Sequence, residues 1–110
     1  MISMLTIIRK RPGISTDDFR HFMQYEYGPT YEAMPQVSSY VQYHLTGLAT
    51  DGAEEPVDAI VQITFTSAEA MAEALATEAY QKAHAMREHY MRETSAGIHS
   101  LRIDNTVTFK

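Results

Sequence analysis

Hydrophobic residues cluster into segments of two kinds along the chain. Four segments are rich in β-branched residues or alternate apolar with polar positions, which predicts β-strands. Between them, apolar residues recur every three to four positions, which predicts amphipathic helices. The predicted strands span residues 2–10, 37–46, 57–65 and 101–109, and the predicted helices span residues 15–34, 67–76 and 77–92.

The first predicted helix carries a break in its middle. Ser15 is a candidate N-cap, and Asp17 and Asp18 follow it where negative charge favours the positive end of the helix dipole. Gly28-Pro29 interrupts the pattern, so we expect the helix to kink or end there and to resume before Met34-Pro35. One apolar stripe runs along both halves and consists of Phe19, Phe22, Met23, Tyr27, Tyr31 and Met34.

Alternation assigns the side chains of the middle strands to opposite faces. In the second strand one predicted face holds Tyr40, Gln42 and His44, and the other holds Val41, Tyr43 and Leu45. In the third strand Ile60 faces away from Ala59 and its apolar neighbours. Residues 47–56 read as a polar loop between these strands.

Two candidate N-caps open the second helical region, namely Ser67 and Thr77. Gly97 is expected to end that region before the last strand. The predicted inner face of the last helix consists of Ala79, Ala83, Met86 and Tyr90.

The order strand, helix, strand, strand, helix, strand predicts one ferredoxin-like α+β domain over residues 1–110, an antiparallel βαββαβ sheet with both helices on one face. The opposite face would then carry Tyr40, Ile60 and either Ile7 or Ile8. An open sheet that exposes such residues is prone to association. The sequence therefore predicts a homodimer that pairs two sheets about a two-fold axis.

Composition and charge argue against several classes of function. The chain has 110 residues, 45% of them hydrophobic, and a formal net charge of −5. A net negative charge with few basic residues argues against nucleic acid as a partner. Cysteine is absent, which excludes disulfides and thiolate chemistry and fits a cytoplasmic protein. No apolar run approaches membrane length, so no membrane partner is expected.

No metal or nucleophile motif stands out. His84 and His89 are five residues apart on a helix, roughly 140° around its axis, so they do not converge on one ion. The alternative is that both histidines simply lie on a helix surface exposed to solvent. Neither a glycine-rich phosphate loop nor a Ser-His-Asp arrangement is recognisable.

The broken helix places two phenols four residues apart, at Tyr27 and Tyr31. Both hydroxyls can point into a small cavity opened by the Gly28-Pro29 break, where a phenol can donate a hydrogen bond to a carbonyl or act as a weak acid. The alternative is that both tyrosines are core residues with satisfied hydroxyls.

His44 is the candidate titrating group, because a histidine that faces a pocket from a strand is a natural acid or base near neutral pH. The alternative places it in a dimer interface. Asp58 precedes the third strand, where its carboxylate can orient a neighbour or cap the strand end.

Several short motifs together resemble the EthD family of small proteins. They are Arg9-Lys10-Arg11-Pro12-Gly13-Ile14-Ser15, Phe19, Tyr25-Glu26-Tyr27-Gly28-Pro29, Met34-Pro35, Tyr40-Val41-Gln42-Tyr43-His44, Asp58-Ala59 and Glu78-Ala79-Tyr80-Gln81. The resemblance covers nearly the whole chain and implies a dimeric α+β barrel built from two ferredoxin-like subunits.

The resemblance also implies a class of activity. Members and relatives include lactone isomerases, polyketide cyclases, dehydratases and monooxygenases, and they are often cofactor-free. The family commonly has a histidine before Gly-Pro at the end of the first helix, where this chain has Tyr27, whereas His44 matches a histidine that recurs in the family's second strand.

From this resemblance we expect a cofactor-free enzyme acting on a small aromatic, polyketide or lactone-like metabolite. His44 and Tyr27 are the expected catalytic residues. The expected substrate-binding residues are Tyr31, Tyr40, Asp58, Met86 and Tyr90. Two alternatives are a non-catalytic homodimer that binds a metabolite and, third, a haem-binding protein that uses His84 or His89.

Overall fold

The strands and helices follow the predicted order along the chain. The computed structural model describes residues 1–47, 57–92 and 100–110. The strands are β1 (Ile2–Lys10), β2 (Val37–His44), β3 (Ala59–Phe65), β4 (Met91–Arg92) and β5 (Ser100–Arg102). The helices are α1 (Thr16–Phe22), α2 (Gly28–Glu32), α3 (Ala68–Leu75) and α4 (Glu78–Tyr90), and a π-helical turn (Met23–Tyr27) joins α1 to α2. Gly97 lies outside the described residues, and so do residues 48–56 of the predicted loop.

The strands form one antiparallel sheet in the order β2-β3-β1-β4, with β5 pairing to the same side of β1 as β4. The helices pack on the face that carries the alternate buried residues of β3, which begin at Ala59 and end at Phe65. This antiparallel sheet with its helices is the ferredoxin-like α+β fold that the sequence predicts.

The helices begin where the sequence predicts, because each N-cap is a short-range contact within the first helical turn. The hydroxyl of Ser15 accepts a hydrogen bond from the Asp18 amide at 3.0 Å. Ser67 does the same for Ala70 at 3.0 Å, and Thr77 for Tyr80 at 3.2 Å. Each cap satisfies one backbone donor that the first helical turn leaves free. All six residues of the predicted apolar stripe on the first helix are buried.

Two predicted faces are wrong. Tyr40 lies on the helix-covered face of β2, where its ring stacks on Tyr31, and it is therefore not part of the exposed sheet face. Ala79 is exposed on α4, and Tyr80 packs against the core in its place. A tyrosine ring removes more apolar surface from water than a methyl group, so the helix turns its larger side chain inward.

The last strand is shorter than predicted. It pairs Met4 with Arg102, and the Ile103 amide donates to the Ser3 carbonyl at 2.9 Å. Because β5 runs antiparallel to β1, which begins at Ile2, the chain passes the end of β1 within two more residues. The predicted strand to Phe109 therefore finds no neighbour among the described residues.

No described helix covers the other face of the sheet, which we call the outer face. It carries two rows of apolar side chains that follow the strand register. One row consists of Tyr43, Ile60 and Ile7, and the other includes Val41, Leu5 and Leu101. Tyr43 is 47% and Leu101 48% exposed. Ile7 is thus the residue of the Ile7/Ile8 pair that faces outward, since Ile8 is fully buried.

Candidate functional site

The break predicted at Gly28-Pro29 is a π-helical turn, and the helical path continues through it. Pro29 has no amide hydrogen, so it cannot donate to the carbonyl of Tyr25 as an α-helix requires. The Gly28 amide instead bonds to the carbonyl of Met23, five residues earlier. Such turns insert one extra residue into a helix and often occur at functional sites.

Gly28 lets this turn pack directly against β2. A Cβ atom at this position would lie 2.9 Å from Nε2 of Gln42 and 3.0 Å from the Met23 carbonyl oxygen. Both distances are shorter than ordinary van der Waals contacts. The absence of a side chain therefore allows Gln42 to reach the backbone of the turn.

The side chain of Gln42 uses all of its amide hydrogens. Its Nε2 donates to the Met23 carbonyl at 2.8 Å and to the Tyr40 hydroxyl at 3.0 Å. Its Oε1 lies 3.0 Å from Nε2 of His44. Because the two donor hydrogens of the amide are committed, Oε1 is the acceptor and the His44 Nε2 carries a hydrogen.

This hydrogen bond fixes the tautomer of His44. With a hydrogen on Nε2, the neutral imidazole presents a lone pair at Nδ1, which is buried and has no hydrogen-bond partner among the described residues. Burial, with a smaller contribution from the positive charge of Arg20, lowers the pKa of His44 below its usual 6.5. The side chain is therefore neutral at pH 7, with an acceptor atom that no described residue occupies.

The two phenols of the broken helix bond to each other. The Tyr27 and Tyr31 hydroxyls are 3.0 Å apart, and both side chains are buried. Burial is the main reason that the pKa of each phenol is raised, so both remain protonated at neutral pH. Their mutual hydrogen bond uses one of the two hydroxyl hydrogens and leaves the other to donate.

Tyr40 connects the phenol pair to His44. Its ring stacks on that of Tyr31 at 5.2 Å, and its hydroxyl accepts from Gln42. Burial raises the pKa of Tyr40 as well, and the hydrogen bond from Gln42 offsets part of this effect. Tyr27, Tyr31, Tyr40, Gln42 and His44 thus form one continuous chain of contacts, which we call the tyrosine–histidine network.

A separate cavity of about 480 Å³, widely open to solvent, lies between the first helical segment and α4. Its walls are mostly apolar, with one carboxylate, one imidazole and one phenol among them. The lining residues are Ile14, Phe22, Glu26, Met86, His89 and Tyr90. An apolar cavity with a few polar groups is the usual form of a small-molecule site.

Phe22 lies between the cavity and the network. Its ring stacks on Tyr90 with centroids 3.9 Å apart and rests 5.7 Å from the ring of Tyr27. Met86 and Tyr90 therefore belong to the cavity, whereas Tyr27 lies on the other side of the buried Phe22 ring.

Asp58 lies at a strand end. Its carboxylate accepts a hydrogen bond from the Lys10 amide at 2.8 Å, and its own amide donates to the Ile8 carbonyl at 2.9 Å. Its carbonyl also accepts from the Leu45 amide at 3.0 Å. These bonds hold the ends of β1, β2 and β3 together next to His44.

Sequence reasoning placed Gln42 on the same strand face as His44 without assigning it a role. Only the approach of the π-helical turn gives it one, and this depends on Gly28. Glu26 has no role in the sequence analysis, and His89 enters it only as a candidate haem ligand. Their shared cavity depends on how α4 packs across the first helical segment, which no local pattern reveals.

The described residues contain no group of three or more histidine, aspartate or glutamate side chains that could hold a metal ion. His84 is exposed, and its Nδ1 lies 3.2 Å from a guanidinium nitrogen of Arg87. His89 lines the cavity. No helix within the described ranges has the length and apolar character needed to cross a membrane.

Three solved structures share the fold over almost their whole length. An ethyl tert-butyl ether d (EthD) family protein from Bacillus halodurans is 11% identical, with a TM-score of 0.70 over 96% of this chain and 100% of that chain. A mutant of SnoaB, a cofactor-independent oxygenase from Streptomyces nogalater, is 9% identical, with a TM-score of 0.66 over 96% and 95%. A dimeric protein of unknown function and ferredoxin-like fold from Bacteroides fragilis is 8% identical, with a TM-score of 0.64 over 93% and 91%.

At identities this low, the likeness to these structures shows the fold alone. No curated protein sequence matches the chain. The family model of the EthD domain, however, matches residues 11–93, which is most of the sequence and includes the first helical segment, β2, β3 and α4. The chain therefore belongs to the EthD family.

Proposed function

We propose that the protein is a small-molecule enzyme that needs no resident cofactor and moves a proton on an aromatic, polyketide or lactone-like metabolite. Isomerisation, cyclisation and dehydration of such compounds all begin when a base removes a proton from a carbon next to a carbonyl. A cofactor-independent oxygenase among the structures of the same fold is compatible with this chemistry.

The observation that carries the proposal is the Nδ1 atom of His44, which is buried and accepts no hydrogen bond from any described residue. An unpaired buried acceptor costs about 1–3 kcal/mol, and such atoms call for an explanation in function. Gln42 holds the imidazole in the tautomer that keeps this lone pair available. In the proposed step, Nδ1 takes the proton, the C–H electron pair forms a carbon–carbon double bond, and the π electron pair of the carbonyl moves to its oxygen, which gives an enolate.

The phenols would stabilise that enolate. Burial keeps Tyr27 and Tyr31 protonated, and one hydroxyl hydrogen of the pair remains free to donate to a developing negative charge. Tyr40 would position the substrate beside them, and Asp58 would support the strand ends around His44. For Met86 and Tyr90 to bind the apolar part of the same metabolite, the Phe22 ring that separates their cavity from the network has to turn aside.

The active form in this proposal is a homodimer. The outer face exposes Tyr43 and Leu101 by nearly half each, together with Val41 by 38%. Contiguous apolar surface of this kind on a sheet is normally covered. A second copy of the same face would cover it by sheet-on-sheet packing.

Hydrogen–deuterium exchange on carbon tests the proton step without assuming the full reaction. Anthrone, an aromatic ketone, and α-angelica lactone both carry acidic C–H groups next to unsaturated carbon. Incubation with the protein in D₂O, followed by ¹H NMR, measures the exchange rate. We expect the wild-type protein to accelerate exchange for at least one of these compounds.

A matched pair of variants assigns the base. His44→Asn should lower the exchange rate by about a hundredfold or more, the scale expected for loss of a general base. His84→Asn, which removes an exposed imidazole from α4, should leave the rate unchanged. Equal rates in the wild-type protein and His44→Asn would contradict the assignment, and no acceleration with either compound would contradict the proposed reaction class.

A second candidate function is metabolite binding without catalysis. It is favoured by the separation of the cavity from His44, since none of the described cavity-lining residues belongs to the tyrosine–histidine network. In that case the cavity would take up an apolar ring against Met86 and Tyr90, and the network would be structural.

Filling the cavity distinguishes the two functions. Fluorescence titration with 1-naphthol should show binding that Met86→Trp abolishes and Gln81→Trp, at an exposed position of the same helix, leaves intact. Binding that His44→Asn leaves unchanged, together with no carbon exchange by the wild-type protein, would favour the binding function.

A further inference from the structure

One arginine reaches the end of β2 from the first helix. Arg20 lies on α1, and a guanidinium nitrogen donates to the Leu45 carbonyl at 3.4 Å. Leu45 directly follows His44 in the chain, so this contact holds a positive charge next to the candidate base. Phe19 and Phe22 of the same helix are buried in the core, which fixes the position of α1 on the sheet.

This guanidinium has hydrogen-bonding capacity to spare. An arginine carries five N–H donors and keeps its charge at any ordinary pH. The Leu45 carbonyl is the one hydrogen-bond partner of Arg20 within the described ranges, and no described carboxylate forms an ion pair with it. A planar guanidinium matches a carboxylate, which accepts two parallel N–H bonds from it. Arg20 is therefore equipped to bind an anion from outside the chain.

The charged groups near His44 come from three elements. Arg20 of α1 acts on it with its positive charge, which is the second cause, after burial, of the lowered pKa of His44. Asp58, just before β3, directs its carboxylate to the amide of Lys10 at the end of β1. Gln42, which bonds to the imidazole, is uncharged. His44 thus has a cation beside it, and no carboxylate of the described residues contacts it.

This distribution of charge opposes the proposed proton transfer. When Nδ1 of His44 takes a proton, the imidazole becomes a cation beside Arg20, and like charges disfavour that state. A negative charge bound to Arg20 would offset the repulsion and favour the protonated imidazole. The base is therefore strongest when an anion occupies the guanidinium.

We propose that Arg20 binds the carboxylate of the substrate, so that the metabolite is a carboxylic acid with an acidic C–H group within reach of His44. The inference rests on the proposed function and names the charge that its substrate carries. One contact would then have two effects, because the carboxylate holds the metabolite beside the base and its charge strengthens the base. A neutral metabolite of the same shape would gain neither.

Titration of His44 by NMR tests the anion site without any reaction. The imidazole C–H signal that is absent from His44→Asn identifies the residue, and its chemical shift is followed against pH with and without sodium benzoate. Benzoate should raise the pKa of His44 in the wild-type protein, because its carboxylate offsets the positive charge of Arg20. Benzamide, which has the same ring without the charge, and sodium chloride at equal concentration should not raise it.

Two variants assign the effect to Arg20. Arg20→Gln should raise the pKa of His44 in the absence of benzoate, since a positive charge is removed, and should abolish the response to benzoate. Arg102→Gln removes the same charge from an exposed position on β5 and should behave as the wild-type protein does. Arg102 pairs with Met4 near the start of β1, whereas His44 pairs with Ala59 at the other end of the sheet.

A matched pair of ketones tests the charge of the substrate. 4-Acetylbenzoate and its methyl ester share the aromatic ring and the exchangeable methyl group next to the carbonyl, and they differ in the carboxylate. With the wild-type protein in D₂O, ¹H NMR should show exchange of the acid about tenfold faster or more than exchange of the ester, after correction for the uncatalysed rates. Arg20→Gln should remove this preference by slowing exchange of the acid.

The outcomes separate the anion site from the proposed reaction. If benzoate raises the pKa of His44 while none of the test compounds exchanges, the anion site is upheld and the proposed reaction is overturned. Equal exchange of the two ketones, or a His44 pKa that benzoate leaves unchanged in the wild-type protein, would overturn the anion site alone. A benzoate response that survives in Arg20→Gln would also overturn it, because another residue would then bind the carboxylate. If Arg20→Gln does not fold, the two wild-type measurements decide the claim.

Discussion

At the scale of single residues, His44 combines two properties that rarely occur together. Its Nε2 is held by Gln42, whereas its Nδ1 is buried without a partner among the described residues. A purely structural histidine would be expected to satisfy both nitrogens. The histidine itself was recognisable from its strand position and family resemblance, but its tautomer depends on an amide whose orientation is fixed by the Met23 carbonyl, 19 residues earlier in the chain.

The lowered pKa of His44 predicts how stability changes with pH. In the unfolded chain the imidazole takes up a proton near pH 6.5, whereas the folded protein binds that proton only at lower pH. Between these two values the unfolded state holds more protons, so acidification destabilises the fold. The stabilisation by neutral His44 is complete above pH 6.5 and is lost as the pH falls toward the folded pKa.

Urea unfolding of the wild-type protein and His44→Asn at pH 8, 7, 6 and 5 measures this effect. The difference in unfolding free energy, wild type minus variant, should decrease toward acid pH, because the other titrating groups contribute equally to both proteins. A difference that stays constant or grows on acidification would contradict the burial of His44 in its neutral form.

At the scale of elements, the sequence predicts features whose causes are local. The three cap residues, the apolar stripe of the first helix and the strand core of β3 all follow from short patterns, and all are confirmed. The predicted end of the last strand and the predicted face of Tyr40 are wrong because both depend on contacts made outside the strand itself. The length of β5 is set by where β1 begins, and Tyr40 is turned inward by the aromatic ring of Tyr31.

In the candidate site, too, features with local causes are predictable and contacts between distant segments are not. Gly28-Pro29 marked the break in the helix, since these residues limit helix geometry directly. The contact that this break makes with Gln42 joins residues 19 positions apart and was not predictable from either segment. Functional assignment from the sequence was therefore strongest for residue types and weakest for the atoms they contact.

The close packing of the π-helical turn on β2 makes a specific prediction for Gly28→Ala. The new methyl group would lie 2.9 Å from Gln42 Nε2 and 3.0 Å from the Met23 carbonyl oxygen. Overpacking of this kind costs about 1–3 kcal/mol, although alanine regains about 1 kcal/mol of helix propensity. We expect a net loss of unfolding free energy and a weaker hold on His44.

A double-mutant cycle in urea isolates the contact. In a Gln42→Ala background the Gly28→Ala substitution should cost less, because one of its two clashes is gone. Gly13→Ala provides the control, since Gly13 has a φ of 87° and no atom near its missing Cβ, so its cost should be the same in both backgrounds. Equal costs of Gly28→Ala in both backgrounds would show that the turn does not pack on Gln42.

At the scale of the whole molecule, the two faces of the sheet have different roles. The helix-covered face holds the tyrosine–histidine network, and the outer face carries two apolar rows and no group of that network. A formal net charge of −5 on each copy opposes association at long range. Any dimer must therefore draw its stability from apolar contact, which makes the outer face sensitive to a single buried charge.

Tyr43→Asp tests this reasoning. Tyr43 is 47% exposed and lies on β2 in the row of the outer face that contains Ile60, so the substitution leaves the buried core of the subunit intact. In a dimer that packs the outer faces together it would bury two carboxylates, each without a cation partner among its described neighbours in that row. Unpaired buried charges are costly enough to dissociate the assembly.

Light scattering coupled to size-exclusion chromatography measures the outcome. Wild-type protein should elute with twice the chain mass of 12.5 kDa, and Tyr43→Asp should elute at the chain mass itself. Gln24→Asp, which adds the same charge at an exposed helix position, should remain dimeric, and circular dichroism should show that both variants are folded. If Tyr43→Asp stays dimeric, the outer face around Tyr43 is not the interface, because the carboxylate would then remain in water.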